Sequence, residues 1–143
     1  MKIKSLMSSD LVTVSLDDRL TAVKEIFDNT QFHHLLVVEG KKLHGIVSDR
    51  DLLKALSPNV DSNAATIKDL ASLNKRAHQI MSPNPKTINE DAVLSDAVDI
   101  FNNYPISCIP VVNNKQEPVG IVSWRDIMRE VGMRLKMLKQ REK

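Results

Sequence analysis

Two stretches of this chain are copies of each other, and the repetition limits the fold more than any other feature. A shift of 74 residues aligns Met7–Asn29 with Met81–Asn103, with identical residues at eight positions. After one extra residue in a turn, "GIVSDRD" at residues 45–51 aligns with "GIVSWRD" at residues 120–126. A duplication of this length predicts two similar structural units in tandem.

Each copy predicts the same order of elements, β-α-β-β-α, and therefore an α+β fold. A short extended segment leads into a helix, for which Asp17 and Asn89 are the expected caps. Apolar residues at i, i+3 and i+7 give that helix one apolar stripe, formed by Leu20, Val23 and Phe27 in one copy and by Leu94, Ala97 and Phe101 in the other.

Two runs rich in Val, Ile and Leu follow the helix in each copy, with a polar turn between them. This pattern is typical of a hairpin of buried strands. The last helix begins inside the duplicated motif, and we expect it to cover Asp49–Leu56 in the first copy and Trp124 to about Lys139 in the second.

The predicted boundaries follow from these patterns. The first repeat covers residues 1–57, and the second covers residues 77–131. A linker at residues 58–76 begins with turn residues and then resumes helical spacing. Residues 132–143 extend the last helix as a basic C-terminal segment.

Charge and composition narrow the function classes. The net charge is only +2, and the basic residues are concentrated in the last 19 residues, so nucleic acid is an improbable partner. No segment has the length and hydropathy of a signal peptide or a membrane span. With one cysteine, Cys108, and no internal disulfide, we expect a cytoplasmic protein that does not enter a membrane.

Catalytic and metal-binding patterns are missing from the sequence. The four histidines and Cys108 do not have the paired spacing of zinc sites, and neither a G-x-G-x-x-G nor a P-loop is present. We therefore expect a protein that is not an enzyme, has no metal site and requires no cofactor.

The C-terminal segment predicts an amphipathic helix. Ile127, Val131, Leu135 and Leu138 form one apolar stripe, and basic residues lie opposite. The stripe can pack on a second copy of the chain or on the neighbouring repeat, which we favour. A different protein, a membrane surface and nucleic acid are the alternatives.

Ser48-x-x-Asp51 and Ser123-x-x-Asp126 have two interpretations. In a capping box, the serine side chain accepts a hydrogen bond from the backbone N–H three residues on, and the aspartate side chain accepts one from the backbone N–H of the serine. As ligand sites, the same helix starts favour a phosphate, a carboxylate can accept from ribose hydroxyls, and Arg50 or Arg125 can bind phosphate. One corner can serve both purposes.

The repeated elements together resemble the cystathionine β-synthase (CBS) domain, which occurs in pairs. The resemblance rests on Thr13 and Thr87 in the opening strands, on "HHLLVVEG" and "SCIPVVNN", and on the two Ser-x-x-Asp motifs. It implies a pseudo-twofold pair of repeats that binds AMP, ADP, ATP, S-adenosylmethionine or NAD in the cleft between them. It also implies a homodimer with a regulatory, energy-sensing function, similar to stand-alone bacterial members, some of them linked to acetoin utilisation.

The resemblance also assigns roles to residues. Asp51 and Asp126 are expected to bind ribose, and Ser48, Arg50, Ser123 and Arg125 to lie at the phosphate. The expected adenine slot is formed by Thr13, Val14, His34 and Leu35, by Thr87, Ile88, Cys108 and Ile109, and by Trp124.

The two copies are not equivalent at this corner. Between serine and arginine, the first has Asp49, which opposes a phosphate, and the second has Trp124, which can stack on a base or fill the cleft. We therefore expect one functional and one degenerate site. The alternative function is a ligand-free structural module for dimerisation or protein interaction, and in either case the regulated partner is unknown.

Overall fold

The computed structural model describes residues 1–142, whose helices and strands form two compact units. The first-repeat unit is Val12–Pro85. The second-repeat unit consists of Met1–Leu11 together with the chain from Lys86 onward. Lys143, the last residue of the predicted C-terminal extension, lies outside the described residues. Both units combine helices with a sheet, so the predicted α+β class is confirmed.

Within each repeat, the elements follow the predicted order. The helices are α1 (Ile3–Leu6), α2 (Leu20–Asn29), α3 (Asp49–Ala55), α4 (Ile67–Ala71), α5 (Ala77–Ile80), α6 (Leu94–Asn103) and α7 (Trp124–Arg141). The strands are β1 (Thr13–Ser15), β2 (His34–Glu39), β3 (Lys42–Ser48), β4 (Ser82–Pro83), β5 (Ile88–Asn89), β6 (Cys108–Val112) and β7 (Pro118–Ser123). A 3-10 turn at Ser72–Asn74 follows α4 in the linker.

Each unit contains one sheet in which the opening strand lies beside the hairpin. The strand order is β1-β2-β3-β4 in the first-repeat unit and β5-β6-β7 in the second-repeat unit. In both, the opening strand pairs in parallel with the first hairpin strand, and the two hairpin strands are antiparallel. The predicted hairpins and the β-α-β-β-α order are therefore confirmed.

The segment that leads into each repeat belongs to the unit of the other repeat. We call residues 1–11 and 75–85 the leading segments. Ser8 of one forms a bridge with Ile121 of β7, and Ser82 of the other pairs with Ile46 of β3. The repeats of the sequence and the compact units of the structure thus divide the chain at different residues.

This exchange explains the glycine that opens the duplicated motif. A β-carbon at Gly45 would overlap the sulfur of Met81 and lie 2.9 Å from the carbonyl oxygen of Ser82. A β-carbon at Gly120 would overlap the sulfur of Met7 in the same way. Each glycine therefore allows a leading segment to lie directly on the hairpin.

Each unit has its own cluster of buried apolar side chains. In the first-repeat unit the cluster is Val14, Leu20, Val23, Leu35, Val37, Val47, Leu52 and Ala77. In the second-repeat unit it is Ile3, Ile88, Leu94, Ala97, Phe101, Ile109, Val111, Val122 and Ile127. Each cluster includes one residue from a leading segment, Ala77 in the first-repeat unit and Ile3 in the second-repeat unit. The predicted apolar stripes of α2 and α6 face these clusters, although Phe27 is only partly buried.

The predicted caps of α2 and α6 are wrong. These helices begin at Leu20 and Leu94, later than caps at Asp17 or Asn89 would place them, and neither N-cap side chain makes a capping hydrogen bond. Their first backbone N–H groups instead donate to carbonyls of the leading segments, at 2.9 and 3.1 Å. A tertiary contact therefore takes the place of the expected side-chain cap.

The close approach at the two motif glycines can be tested by substitution. We expect Gly45→Ala and Gly120→Ala each to lower the free energy of unfolding by about 1–3 kcal/mol, because a backbone or methionine must shift. Gly132→Ala is the matched control, since this helical glycine has no atom within 4 Å of the added carbon. It should raise stability by about 0.5–1 kcal/mol. Urea unfolding measures all three, and equal effects at the three positions would contradict the argument.

Candidate functional site

In the first-repeat unit, the duplicated motif forms the corner where β3 ends and α3 begins. The backbone N–H of Asp51 donates to Ser48 Oγ at 3.0 Å, and the N–H of Ser48 donates to Asp51 Oδ2 at 2.9 Å. These two bonds form a complete capping box. The structural interpretation of this Ser-x-x-Asp motif is therefore confirmed.

The corner between β7 and α7 has the same construction. The N–H of Ser123 donates to Asp126 Oδ2 at 2.8 Å, and the N–H of Asp126 donates to Ser123 Oγ at 3.4 Å. The hydroxyl of Ser123 also lies 3.1 Å from Asp126 Oδ2, while Asp126 Oδ1 lies 3.5 Å from Nη1 of Arg129. In both corners the cap uses Oδ2 of the aspartate.

Both corners are tied to the loop that precedes the hairpin. The N–H of Asp49 donates to the carbonyl of His33 at 3.0 Å, and that of Trp124 donates to the carbonyl of Ser107 at 3.1 Å. Strand register then places His34 opposite Ser48 and Cys108 opposite Ser123. The structure therefore brings the start of the second strand to the corner, as the resemblance implied.

The opening-strand residues of the expected adenine slot lie on the neighbouring strand, β1 or β5, or just before it. Thr13 and Val14 pair with Leu36 and Val37, and Ile88 pairs with Val111. The side chains that accept or donate hydrogen bonds here are accessible, since Thr13 is exposed and Thr87 and His34 are half-buried.

Four of the expected slot side chains belong to the cores instead. They are almost fully or fully buried, and they are Val14, Leu35, Ile88 and Ile109. Little of these four residues is exposed in this conformation, and their place in the adenine slot stays a prediction.

His33 is a member of the first corner that the sequence did not single out. Its Nδ1 lies 2.9 Å from Asp49 Oδ2, and this hydrogen bond lowers the pKa of the Asp49 carboxyl. The sequence signal for this contact was the position of His33 just before β2, because the strand register brings the start of β2 to the start of α3. His34 beside it is half-buried, and burial lowers the pKa of its imidazole.

Trp124 occupies the matching position in the second corner and packs on its own unit. Its ring centroid lies 5.2 Å from that of Phe101, at an interplanar angle of 37°. The indole Nε1–H donates to the carbonyl of Ile106 at 3.1 Å, yet 44% of the residue stays exposed. The indole is therefore held in one orientation while part of its surface remains accessible.

Cys108 and the candidate metal ligands complete the survey of reactive side chains in residues 1–142. Cys108 is buried, and burial raises its pKa to about 12, so it is a neutral thiol at physiological pH. Within residues 1–142, no group of three or more His, Cys, Asp or Glu side chains could hold a metal ion. In that same part of the chain, no helix is both long and apolar enough to cross a membrane.

A family model described as "CBS domain" matches this chain twice, at residues 3–58 and 77–132. A CBS domain-containing protein of Dictyostelium discoideum is 30% identical over 128 residues, which are 88% of this chain and 88% of that protein. A probable arabinose 5-phosphate isomerase of Haemophilus influenzae is 31% identical over 86% of this chain. The chain spans only 34% of the length of that isomerase.

Solved structures show the same fold over nearly the whole chain. The CBS domain pair of protein MJ0100, in complex with 5′-methylthioadenosine and S-adenosyl-L-methionine, is 27% identical with a TM-score of 0.74, covering 94% of this chain and 98% of that one. A putative acetoin utilization protein from Vibrio cholerae is 25% identical with a TM-score of 0.72, covering 99% and 96%.

The pairing of His33 with Asp49 predicts a measurable coupling. In His33→Gln the pKa of the Asp49 carboxyl should rise, because its strongest stabilising partner is lost. The pKa of the Asp49 carboxyl is lower in the folded state than in the unfolded state, so the hydrogen bond from His33 stabilises the fold at pH values above the unfolded-state pKa. This stabilisation is lost as the pH falls through the folded-state pKa. Side-chain NMR titration measures the shift. His78→Gln, near Asp17 at 3.9 Å, is the control, and an unchanged Asp49 pKa in His33→Gln would contradict the pairing.

Proposed function

The chain belongs to the CBS domain family, and from that membership we propose that it is a non-enzymatic regulatory module that binds an adenosine-containing ligand and signals its presence to a partner protein. The ligand class comprises AMP, ADP, ATP, S-adenosylmethionine and NAD. With an adenine nucleotide as ligand, the module would report the energy state of the cell.

The observation that carries the proposal is the corner that the chain builds twice with the same hydrogen bonds. In each copy the cap engages Oδ2 of the aspartate, and the proposal assigns Oδ1 of Asp51 and Asp126 to the ribose hydroxyls. Arg50 and Arg125 follow the serine by two residues and are exposed, in position for charge-assisted bonds to a phosphate. Capping and binding can therefore operate at one corner.

The adenosine part of the ligand finds support in a relative. The MJ0100 pair, which is 27% identical to this chain, was solved with two adenosyl compounds. For this chain we assign the adenine to the backbone of β1 and β2 or of β5 and β6, beside the accessible Thr13, His34 and Thr87. A flat base needs few polar contacts, and strand-edge N–H and C=O groups provide them.

The two corners should prefer different ligands. Asp49, held in its charged form by His33, places a negative charge beside Arg50, which disfavours a phosphate at the first corner. Trp124 places no charge at the second corner and offers an aromatic surface to a base. We therefore assign the phosphate-bearing ligand to the corner of Ser123, Arg125 and Asp126.

Signalling in this proposal is a population shift. A ligand favours the conformation that it binds more tightly, and only its differential affinity for two states can move their balance. We further propose that the protein acts as a homodimer in the cytoplasm, where its single buried thiol stays reduced.

Ligand binding can be separated from capping by three matched substitutions. We expect a ligand at 100 times its dissociation constant to add about 2.7 kcal/mol of stability, detected as a thermal shift with AMP, ADP, ATP, S-adenosylmethionine or NAD. Asp51→Asn combined with Asp126→Asn should abolish that shift, since asparagine keeps one acceptor for the cap but loses the carboxylate.

The control for this experiment is Asp69→Asn. Asp69 closes a capping box with Thr66 at the start of α4, through bonds of 2.9 and 3.1 Å, and also accepts a hydrogen bond from Ser57 Oγ at 2.6 Å. This variant should lose at least as much stability as either corner substitution alone, and it should retain the full ligand shift. If no compound in the panel shifts the unfolding temperature, the ligand-free structural module becomes the better account.

The preference of the second corner for phosphate has its own test. Arg125→Gln should weaken AMP binding by about tenfold, because it removes one hydrogen bond to a charged group. The affinity for 5′-methylthioadenosine, which has no phosphate, should stay unchanged. Arg50→Gln is the matched control and should change AMP affinity by less than about threefold. Isothermal titration calorimetry measures both, and equal losses in the two variants would refute the assignment.

A further inference from the structure

We propose that Met7 and Met81 are a duplicated pair of oxidation sites, at which a peroxide loosens the contact between each leading segment and its hairpin. Neither methionine belongs to a Ser-x-x-Asp corner. Oxidation gives the chain a response that is separate from the ligand response of the proposed function, and it can be tested without any ligand.

The two methionines make the same contact in the two units. They lie 74 residues apart, which is the repeat offset. The sulfur of Met7 lies on Gly120 of β7, the sulfur of Met81 lies on Gly45 of β3, and both glycines are buried. Because neither glycine has a β-carbon, each sulfur lies directly against the strand. A chemical change at the sulfur therefore acts at the point where a leading segment meets its hairpin.

The surroundings of each sulfur are unsuited to an added oxygen atom. The sulfur of Met81 and the carbonyl oxygen of Ser82 lie against the same face of Gly45, and the atoms around Met7 are arranged in the same way. Both methionines also pack against the buried apolar clusters of their units. A sulfoxide oxygen is a polar acceptor, and neither a carbonyl oxygen nor an apolar side chain can donate a hydrogen bond to it. Oxidation therefore forces the side chain away from the strand.

Strand pairing begins at the residue after each methionine. Ser8 exchanges two backbone hydrogen bonds with Ile121, each of 2.9 Å, and Ser82 pairs with Ile46. When the methionine side chain leaves its glycine, the adjoining backbone must shift, so these hydrogen bonds are weakened together with the packing. One oxidised sulfur in each unit thus acts on both contacts that hold a leading segment in place.

The reaction transfers one oxygen atom from hydrogen peroxide to the thioether. The O–O bond of the peroxide breaks, an S=O bond forms and water leaves, so the sulfur loses two electrons and the peroxide gains them. Met7 and Met81 are both partly exposed, and a small uncharged oxidant can therefore reach them in the folded chain. Methionine sulfoxide is reduced again by dedicated reductases, which makes the change reversible.

The other sulfur atoms of the chain provide an internal comparison. Met1, Met128, Met133 and Met137 are between 53% and 57% exposed, so their oxidation disturbs little packing. Burial raises the pKa of Cys108 to about 12, and its neutral thiol reacts poorly with a peroxide, which attacks the thiolate. Oxidation should therefore change the stability of the fold mainly at the two glycine contacts.

Two sets of leucine substitutions separate the glycine contacts from the exposed sulfurs. Met7→Leu with Met81→Leu removes the proposed sites, and Met128→Leu with Met133→Leu and Met137→Leu removes exposed ones. Leucine keeps about the volume of methionine and has no sulfur to oxidise. Both variants and the native chain are treated with hydrogen peroxide while folded. Far-UV circular dichroism confirms the fold before treatment and follows urea unfolding before and after it.

The sites of oxidation can be read residue by residue. Trypsin places each of the six methionines on a different peptide, so mass spectrometry measures the sulfoxide at each one. In the triple variant we expect sulfoxide at Met7 and Met81 and a urea midpoint lower by about 1 M or more. Methionine sulfoxide reductases should restore that midpoint. In the double variant, the same treatment should change the midpoint by less than about 0.2 M.

Glutamine substitutions give an independent measurement without an oxidant. Met7→Gln and Met81→Gln place a polar acceptor on the glycine, and each should lower the urea midpoint by about 0.5 M or more. Met133→Gln, at an exposed position, is the control and should leave the midpoint unchanged.

Three results would overturn the proposal. The first is no sulfoxide at Met7 and Met81 in the folded chain under conditions that oxidise Met133 completely. The second is sulfoxide at both sites with no change in the urea midpoint. The third is an equal loss of midpoint in the variant that carries leucine at both sites, because the loss would then arise at the exposed sulfurs.

Discussion

The structure depends on a leading segment that crosses over the hairpin of the other repeat. Ser8 bridges to Ile121, Ser82 pairs with Ile46, and Ile3 and Ala77 are fully buried in the corresponding cores. Neither repeat therefore completes its core from its own residues. A unit of about 55 residues is marginal by itself, and the exchange makes each unit depend on chain from both repeats.

The same contact explains a local feature of the sequence. In "GIVS" the glycine makes room for a methionine and the adjoining backbone, the Ile and Val continue the strand, and the serine begins the next helix as its cap. Each letter of the duplicated motif thus has a structural reason. The proposed ligand role uses what the motif leaves over, namely the second carboxylate oxygen and the exposed arginine.

The two repeats differ in character at the position after the capping serine, which neither the core nor the cap requires to be a particular residue. The core positions stay apolar and the serine caps are retained, whereas the residue after the serine is Asp49 in one copy and Trp124 in the other. Asp49 forms a hydrogen bond with His33, and Trp124 packs against Phe101. A duplicated fold can acquire different ligand sites in this way, because the residue after the serine belongs to neither buried cluster.

Much of the fold could be predicted from the sequence alone. The repeat offset, the helix stripes and the alternation of strand and turn determined two β-α-β-β-α units, and Ser-x-x-Asp determined their capped corners. Local signals suffice for these features, because they depend on residues within a few positions of one another. Only the tertiary structure decided which leading segment completes which unit, that His33 meets Asp49, and that Leu20 and Leu94 begin their helices. These contacts join residues far apart in the chain, and no local periodicity encodes them.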